Sequence, residues 1–169
     1  MGSVAVMLLA RLGYRVVAST GKADAHEFLK SLGAQEVIDR HTLAARSDKP
    51  LESGHWAGAV DSVGGETLAA LLRQMERDGC VAAVGLAGGA ELHTTVYPFI
   101  LRAVSLVGVS SVYTPMERRR VAWARLATGL SMDMLDRLTQ TVRLDDVPAL
   151  CEQMMEGKTR GRVVIDVNA

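Results

Sequence analysis

Residues 2–39, GSVAVMLLARLGYRVVASTGKADAHEFLKSLGAQEVID, contain the pattern that decides the fold class. The apolar segment 4–12 ends at Gly13, which predicts a buried helix with a glycine at its C-terminal end. The β-branched segment 14–19 predicts a strand, and the short segment 36–39 predicts a second one. Because helices and strands alternate, this stretch predicts parallel strands joined by helices.

A second helix is expected between those two strands. Asp24 and Glu27 have the spacing of a capping box, which marks the start of a helix. The predicted helix runs to Leu32 and stops before Gly33, so it is short.

The same alternation continues along the rest of the sequence. Further strands are predicted at residues 56–62, 79–85, 104–110 and 162–167, and further helices at 66–75, 115–128 and 147–156. The stretch 40–55 is the only long segment that is rich in loop-forming residues. We therefore expect an α/β protein with a doubly wound parallel sheet.

The first element departs from the usual doubly wound order. Such domains begin with a buried strand and a glycine turn, whereas Gly2 and Ser3 lead directly into a helix. In the strand order 3-2-1-4-5-6 the absent strand would lie at the sheet centre, where its hydrogen bonds to two neighbours would contribute ~10 kcal/mol. We therefore expect residues 1–169 to be a truncated domain that lacks its first, central strand; a fold rearranged around that gap is the alternative.

The composition excludes several classes of protein. Lys and Arg number 19, as do Asp and Glu, so the formal charge is zero and no broad surface is available to neutralise nucleic acid or an anionic membrane. The hydrophobic content of 49% excludes a disordered chain, and no apolar run reaches the roughly 20 residues of a membrane span. The two cysteines, Cys80 and Cys151, and the histidines lack the spacing of a metal site, so we expect a cytoplasmic protein without a metal.

The segment after the first predicted strand indicates what the protein binds. In dinucleotide-binding domains a glycine turn before the first helix approaches the pyrophosphate, and Gly2 could be the last glycine of such a turn. About 18 residues further on, an NAD site would place an acidic residue on the ribose. This sequence has Ser19, Thr20, Gly21 and Lys22 there instead. Hydroxyls and an ammonium favour the 2′-phosphate of NADP, although a plain turn before a helix uses the same residue types.

Two further segments are candidates for the same site. Arg40 follows the second predicted strand and is a second cation for the 2′-phosphate; a solvated loop arginine is an equally good interpretation. The glycine-rich segment 85–89 follows a predicted strand at the edge where open α/β sheets bind ligands, so its amides could reach the nicotinamide ribose. An ordinary glycine-rich turn is the alternative there.

Five segments resemble a known family. They are HEFLKSLGA at 26–34, WAGAVD at 56–61, GCVAA at 79–83, GLAGG at 85–89 and PFILR at 98–102. Together with the residues above they resemble the cofactor-binding half of a medium-chain dehydrogenase/reductase, and are most similar to acrylyl-CoA reductases of the YhdH/AcuI type. The resemblance covers essentially the whole sequence. It implies a truncated, Rossmann-type NADP-binding domain at residues 1–169.

The resemblance also implies an activity. It points to a zinc-independent, NADPH-dependent reductase that transfers hydride to an enoyl thioester such as acrylyl-CoA, or to an enone or quinone. By position it assigns Thr20, Gly21, Lys22 and Arg40 to the 2′-phosphate, and Leu86, Ile100 and Ser111 to the nicotinamide side.

The resemblance leaves the catalytic residues unassigned. The family's N-terminal GroES-like catalytic domain has no counterpart in this sequence, so we expect no turnover from this chain alone. In the family the strand at 104–110 lies near a dimer seam, which implies a homodimer of the full-length protein. A noncatalytic nucleotide-binding or association module with the same fold is the alternative function.

Overall fold

The computed structural model describes residues 1–169. In chain order, the strands are β1 Val17–Thr20, β2 Glu36–Asp39, β3 Trp56–Asp61, β4 Met75–Ala83, β5 Ser105–Gly108, β6 Thr139–Arg143 and β7 Arg162–Asp166. The helices are α1 Gly2–Arg11, α2 His26–Ser31, α3 Arg40–Leu43, α4 Gly65–Gln74, α5 Tyr97–Arg102, α6 Met116–Gly129, α7 Met132–Asp136 and α8 Val147–Met155. Short 3-10 turns lie at Ala23–Ala25 and Leu144–Asp146. Every strand pair is parallel, which confirms the predicted α/β class.

The strands form three hydrogen-bonded groups instead of one continuous sheet. β2 pairs with β1, β4 lies between β3 and β5, and β6 pairs with β7. The first two groups have the order of a doubly wound sheet that is interrupted at its centre. β1 and β3 do not pair with each other, so the interruption falls where the sequence predicts the absent strand, and the fold has not rearranged to close it.

The apolar core is divided at the same place. One cluster packs α1 against β1 and the segment after α2; it comprises Val6, Met7, Val16, Ala18, Leu32, Ala34 and Leu138. The other packs α4 against β4; it comprises Leu68, Leu72, Met75, Val81 and Val104. Each half of the sheet therefore covers its own apolar face with its own helix.

The start of the second helix differs from the prediction. No side chain caps α2, and the predicted capping box of Asp24 and Glu27 is wrong. The 3-10 turn already begins at Ala23, because the Thr20 hydroxyl accepts a hydrogen bond from the amide of Lys22 at 3.1 Å and turns the backbone early. Asp24 consequently lies inside the turn, two residues after its N-cap, Lys22, and too late to cap it.

Four elements have no counterpart in the sequence predictions, namely α3, α5, α7 and β6. α3 occupies the start of the predicted loop 40–55. Its N-cap is Asp39, whose carboxylate accepts hydrogen bonds from the amides of His41 at 2.7 Å and Thr42 at 3.4 Å. Aspartate is a favoured N-cap residue, so a local signal for this helix exists. β6 has no such signal, because its strand conformation depends on pairing with β7.

Arg102 makes the polar contacts that hold α5, the helix that carries Ile100, beside the apolar packing of Pro98 and Phe99. Arg102 is half-buried and donates hydrogen bonds to the carbonyl oxygens of Met75 at 2.8 Å and Arg73 at 3.2 Å. It donates a further hydrogen bond to the carbonyl oxygen of Glu52. Hydrogen bonds from a charged donor are stronger than neutral ones, so these contacts fix α5 against the junction of α4 and β4.

None of the helices combines the length and the apolar character that crossing a membrane requires.

Candidate functional site

The pairing of β1 with β2 brings the predicted phosphate-binding residues together. The strands run parallel, with Val17 opposite Glu36 and Thr20 opposite Asp39. Both strands therefore end level, and the residues that follow them leave the sheet side by side.

Arg40 lies directly beside Gly21. A Cβ built on Gly21 would be 3.7 Å from Cζ and 3.7 Å from Nε of Arg40. A Cβ at these distances would be in ordinary van der Waals contact, so the guanidinium lies against the turn and the contact does not itself require glycine. Arg40 is exposed and takes part in none of the ion pairs, so its charge is not neutralised by a neighbouring carboxylate.

The residues before Lys22 shape this turn. Thr20 is buried, and its hydroxyl accepts the hydrogen bond from the Lys22 amide described above. Ser19 is exposed on the neighbouring position of the strand. The structure thus brings Ser19, Thr20, Gly21, Lys22 and Arg40 to one place, while their role as cofactor ligands stays a prediction.

The side chain of Lys22 is held from a distant part of the chain. It is half-buried, and its Nζ donates a hydrogen bond to the carbonyl oxygen of Thr159 at 2.7 Å. An ammonium group has three N–H donors, so two remain for an anion. Thr159 is a residue that the sequence analysis missed, because 137 positions separate it from Lys22.

The loop after β3 is organised by Asp61. Its carboxylate is buried, 2% exposed, and accepts hydrogen bonds from the amides of Val63 at 3.1 Å and Gly64 at 2.8 Å. This residue was also missed as part of the site. The signal in the sequence was Asp61 followed by two residues and then a pair of glycines, which is typical of an Asx turn.

That loop packs closely on the loop after β4. The amide of Gly88 donates a hydrogen bond to the carbonyl oxygen of Val63 at 2.7 Å, and Gly64 forms a bridge with Gly89. Gly64 has φ 72° and ψ −159°, a conformation open almost only to glycine, and a Cβ there would collide with the carbonyl oxygen of Gly89. The glycines at 85–89 therefore allow the two loop backbones to approach each other closely, and this role is independent of any ligand.

The residues predicted for the nicotinamide side lie on three separate elements. Leu86 follows β4 and is 66% exposed, Ile100 lies on α5 and is 68% exposed, and Ser111 follows β5 and is exposed. Exposed apolar side chains of this size are available for contact with a ligand or a partner. Their proposed contacts with the cofactor stay predictions.

Gly2 is the first residue of α1 and is exposed. A Cβ at this position would meet nothing within 4 Å, so nothing within this chain requires glycine there. Its role at the pyrophosphate also stays a prediction.

Two adjoining cavities lie elsewhere. One has a volume of 340 Å³ and the other of 580 Å³, and both are lined by Ser47, Asp48, Arg73 and His93, none of which belongs to the predicted site. The candidate site is an exposed edge in this chain. It is identified by its residues and not by an enclosed cavity. No group of three or more His, Cys, Asp or Glu side chains is placed to hold a metal ion.

Comparison with known proteins identifies the class. The profile of the zinc-binding dehydrogenase family matches residues 1–128, and the chain belongs to this family. It is 48% identical over 169 residues to the acrylyl-CoA reductase AcuI of Ruegeria pomeroyi, covering 100% of this chain and 51% of that protein. It is 44% identical over 166 residues to a putative quinone oxidoreductase, YhfP, of Bacillus subtilis, covering 98% of this chain and 50% of that protein.

Solved structures confirm the Rossmann-type fold. The crystal structure of YhdH from Escherichia coli K-12 with bound NADPH matches 97% of this chain and 50% of that chain, with 48% identity and a TM-score of 0.92. YhfP from Bacillus subtilis with NAD bound matches with 44% identity and a TM-score of 0.92, covering 98% of this chain and 51% of that chain. The chain thus spans about half the length of the relatives that it matches, and the resemblance to acrylyl-CoA reductases is confirmed.

The contact between the two glycine loops predicts a large effect of a small substitution. Replacing Gly64→Ala should lower the melting temperature by about 5 °C or more, because the strained backbone and the collision with Gly89 together amount to roughly 2 kcal/mol. Thermal unfolding followed by circular dichroism measures this. Gly108→Ala is the matched control, since a Cβ at Gly108 meets nothing within 4 Å, and it should melt close to the unmodified chain. Equal melting temperatures for the two variants would contradict the described packing of the loops.

Proposed function

We propose that this chain is the cofactor-binding part of an NADPH-dependent oxidoreductase that reduces an enoyl thioester such as acrylyl-CoA, or an enone or quinone. The observation that carries the proposal is the position of the Arg40 guanidinium beside Gly21, the residue before Lys22, with no acidic residue at the end of β1. Two of the relatives named above support this proposal: one is an acrylyl-CoA reductase, and one has been solved with NADPH bound.

The residues at this edge suit a phosphate monoester. Lys22 keeps two N–H donors after its hydrogen bond to Thr159, and the planar guanidinium of Arg40 can donate two parallel hydrogen bonds. An NAD-specific site needs a carboxylate that accepts hydrogen bonds from the ribose hydroxyls, and no carboxylate occupies residues 19–22. We therefore assign the adenosine 2′-phosphate to this edge.

The other end of the cofactor would lie along the loops after β4 and β5. The proposed contacts there are Leu86, Ile100 and Ser111, whose side chains are exposed in this chain. NADPH supplies the hydride when it is bound, and these residues orient its ring and keep water away from one face. We assign no catalytic residue within this chain, and we propose that the reaction needs no zinc. A reducing cytoplasm suits the two free, exposed cysteines.

The cofactor preference tests the proposal directly. This chain should bind NADPH more tightly than NADH, and Lys22→Gln should weaken NADPH binding about tenfold while NADH binding changes little, because only NADPH carries the anion. Fluorescence titration with both nucleotides gives the two dissociation constants. Lys30→Gln is the matched control: Lys30 is exposed on α2 and pairs with Glu27, so the variant should retain both affinities. The absence of any preference for NADPH in the unmodified chain would overturn the cofactor assignment.

The activity is testable in a chimera. We would join the N-terminal half of the Ruegeria pomeroyi reductase to this chain, which matches 51% of that protein. The chimera should oxidise NADPH when acrylyl-CoA, an enone or a quinone is added, whereas this chain alone should not, because half of the geometry around the substrate is missing. Absorbance of NADPH measures the rate. A chimera that binds NADPH but oxidises it with none of the three substrates would favour the alternative, a noncatalytic nucleotide-binding module.

We further propose that the reductase is a homodimer that pairs along β5. This strand is hydrogen-bonded on one side only, to β4; Val107 within it is 48% exposed, and Val109 directly after it is 52% exposed. The chimera should therefore have the mass of a dimer in light scattering, and Val107→Lys should shift it toward monomer, because a charge on an edge strand opposes pairing. Val121→Lys on the exposed face of α6 should leave the dimer intact. A monomeric chimera would contradict this proposal.

A further inference from the structure

The segment between α8 and β7 crosses to the turn after β1. It begins at Gly157 with φ 69°, shortly after α8, and ends at Gly161 with φ 73°, directly before β7, and both glycines have left-handed backbone conformations. Between them, the carbonyl oxygen of Thr159 accepts the hydrogen bond from Nζ of Lys22 at 2.7 Å. Residues 158–160, here called the crossing segment, thus touch the predicted phosphate site from the far end of the sequence.

Arg160 joins the crossing segment to α2 and to the 3-10 turn before it. Its Cζ lies 4.8 Å from the centroid of the Phe28 ring, and its Nη1 donates a hydrogen bond to the carbonyl oxygen of Asp24 at 3.5 Å. A guanidinium over an aromatic face is a favourable cation–π arrangement. Arg160 takes part in none of the ion pairs, so these two contacts define its place.

We propose that the crossing segment is part of the cofactor site, with Arg160 a positioning residue that determines specificity for a 2′-phosphate by holding Thr159 against Lys22. This rests on the proposed function of the site. Arg160 anchors the peptide, the peptide carbonyl anchors the ammonium, and the ammonium presents its two remaining N–H donors to the anion.

The effect follows from side-chain entropy. A lysine side chain has many rotamers, and freezing them on binding lowers affinity. A carbonyl that already holds the ammonium at 2.7 Å removes part of this loss before the nucleotide arrives. NADH has no 2′-phosphate for Lys22 to contact, so the same preorganisation adds little to the affinity for NADH. Arg160 is therefore expected to change the ratio of the two affinities.

The test is a double-mutant cycle in this chain, read by NADPH and NADH titrations. Arg160→Gln should weaken NADPH binding roughly threefold to tenfold and leave NADH binding within about twofold. In a chain that already carries Lys22→Gln, the same change should have no further effect, since Arg160 acts through Lys22. Arg162→Gln removes a neighbouring exposed charge in β7 and should leave both affinities unchanged.

A second measurement does not depend on the nucleotide. Both Lys22→Gln and Arg160→Gln should speed amide hydrogen exchange in the crossing segment, because each breaks one of its contacts. In the titrations, by contrast, Arg160→Lys keeps the charge and much of the cation–π contact and should therefore retain most of the NADPH affinity. Unchanged exchange in both variants would overturn the coupling.

The titrations separate two kinds of failure. If the unmodified chain prefers NADPH but Arg160→Gln does not change that preference, or if the two substitutions weaken NADPH binding additively, the positioning role is overturned and the proposed function stands. If the unmodified chain shows no preference while the exchange rates respond as expected, the contact exists but the assignment of the 2′-phosphate is overturned.

Discussion

The parallel pairing of β1 with β2 is the constraint on which the candidate site depends. It holds Thr20 opposite Asp39, and this register places Arg40 beside Gly21. Along β1, Ala18 and Thr20 are buried and Ser19 is exposed, as the twofold repeat of a strand requires. A slip of one residue would exchange these faces and move Arg40 away from Gly21, so the apolar residues that fix the register also fix the site.

The interrupted sheet divides the predicted site as well as the core. The residues assigned to the 2′-phosphate lie on the β1–β2 group, whereas those assigned to the nicotinamide side follow or flank the β3–β4–β5 group. A dinucleotide bound as proposed would contact both groups at once. Because a ligand stabilises the state that binds it, NADPH would also hold the two halves of the sheet in one arrangement.

Backbone geometry supports both halves. The guanidinium of Arg40 lies against Gly21, and Gly64 leaves room for the carbonyl oxygen of Gly89. Asp61 satisfies two amides of the same loop from a buried position. The predicted ligand-binding edge therefore combines a few charged side chains with turns whose shape is set by glycine and by hydrogen bonds from the backbone.

Much of this architecture could be predicted from local pattern. The apolar spacing of α1 and α4 and the β-branched run that contains β1 predict the α/β class, because periodicity reports which face of an element is buried. The absence of an acid at residues 19–22 predicts the chemistry of the site from residue type alone. The capping box at Asp24 was wrong because a hydrogen bond from the Lys22 amide to Thr20 moved the start of the turn.

The sequence by itself determined the class of fold, the order of the first five strands and the kinds of side chain available for a phosphate. Only the tertiary structure decided which of them meet. The pairing of β6 with β7, the contact of Gly64 with Gly89 and the hydrogen bond from Lys22 to Thr159 join residues far apart in the chain. Such contacts depend on packing of the whole domain and leave no repeating pattern at either end, which is why periodicity and spacing could not find them.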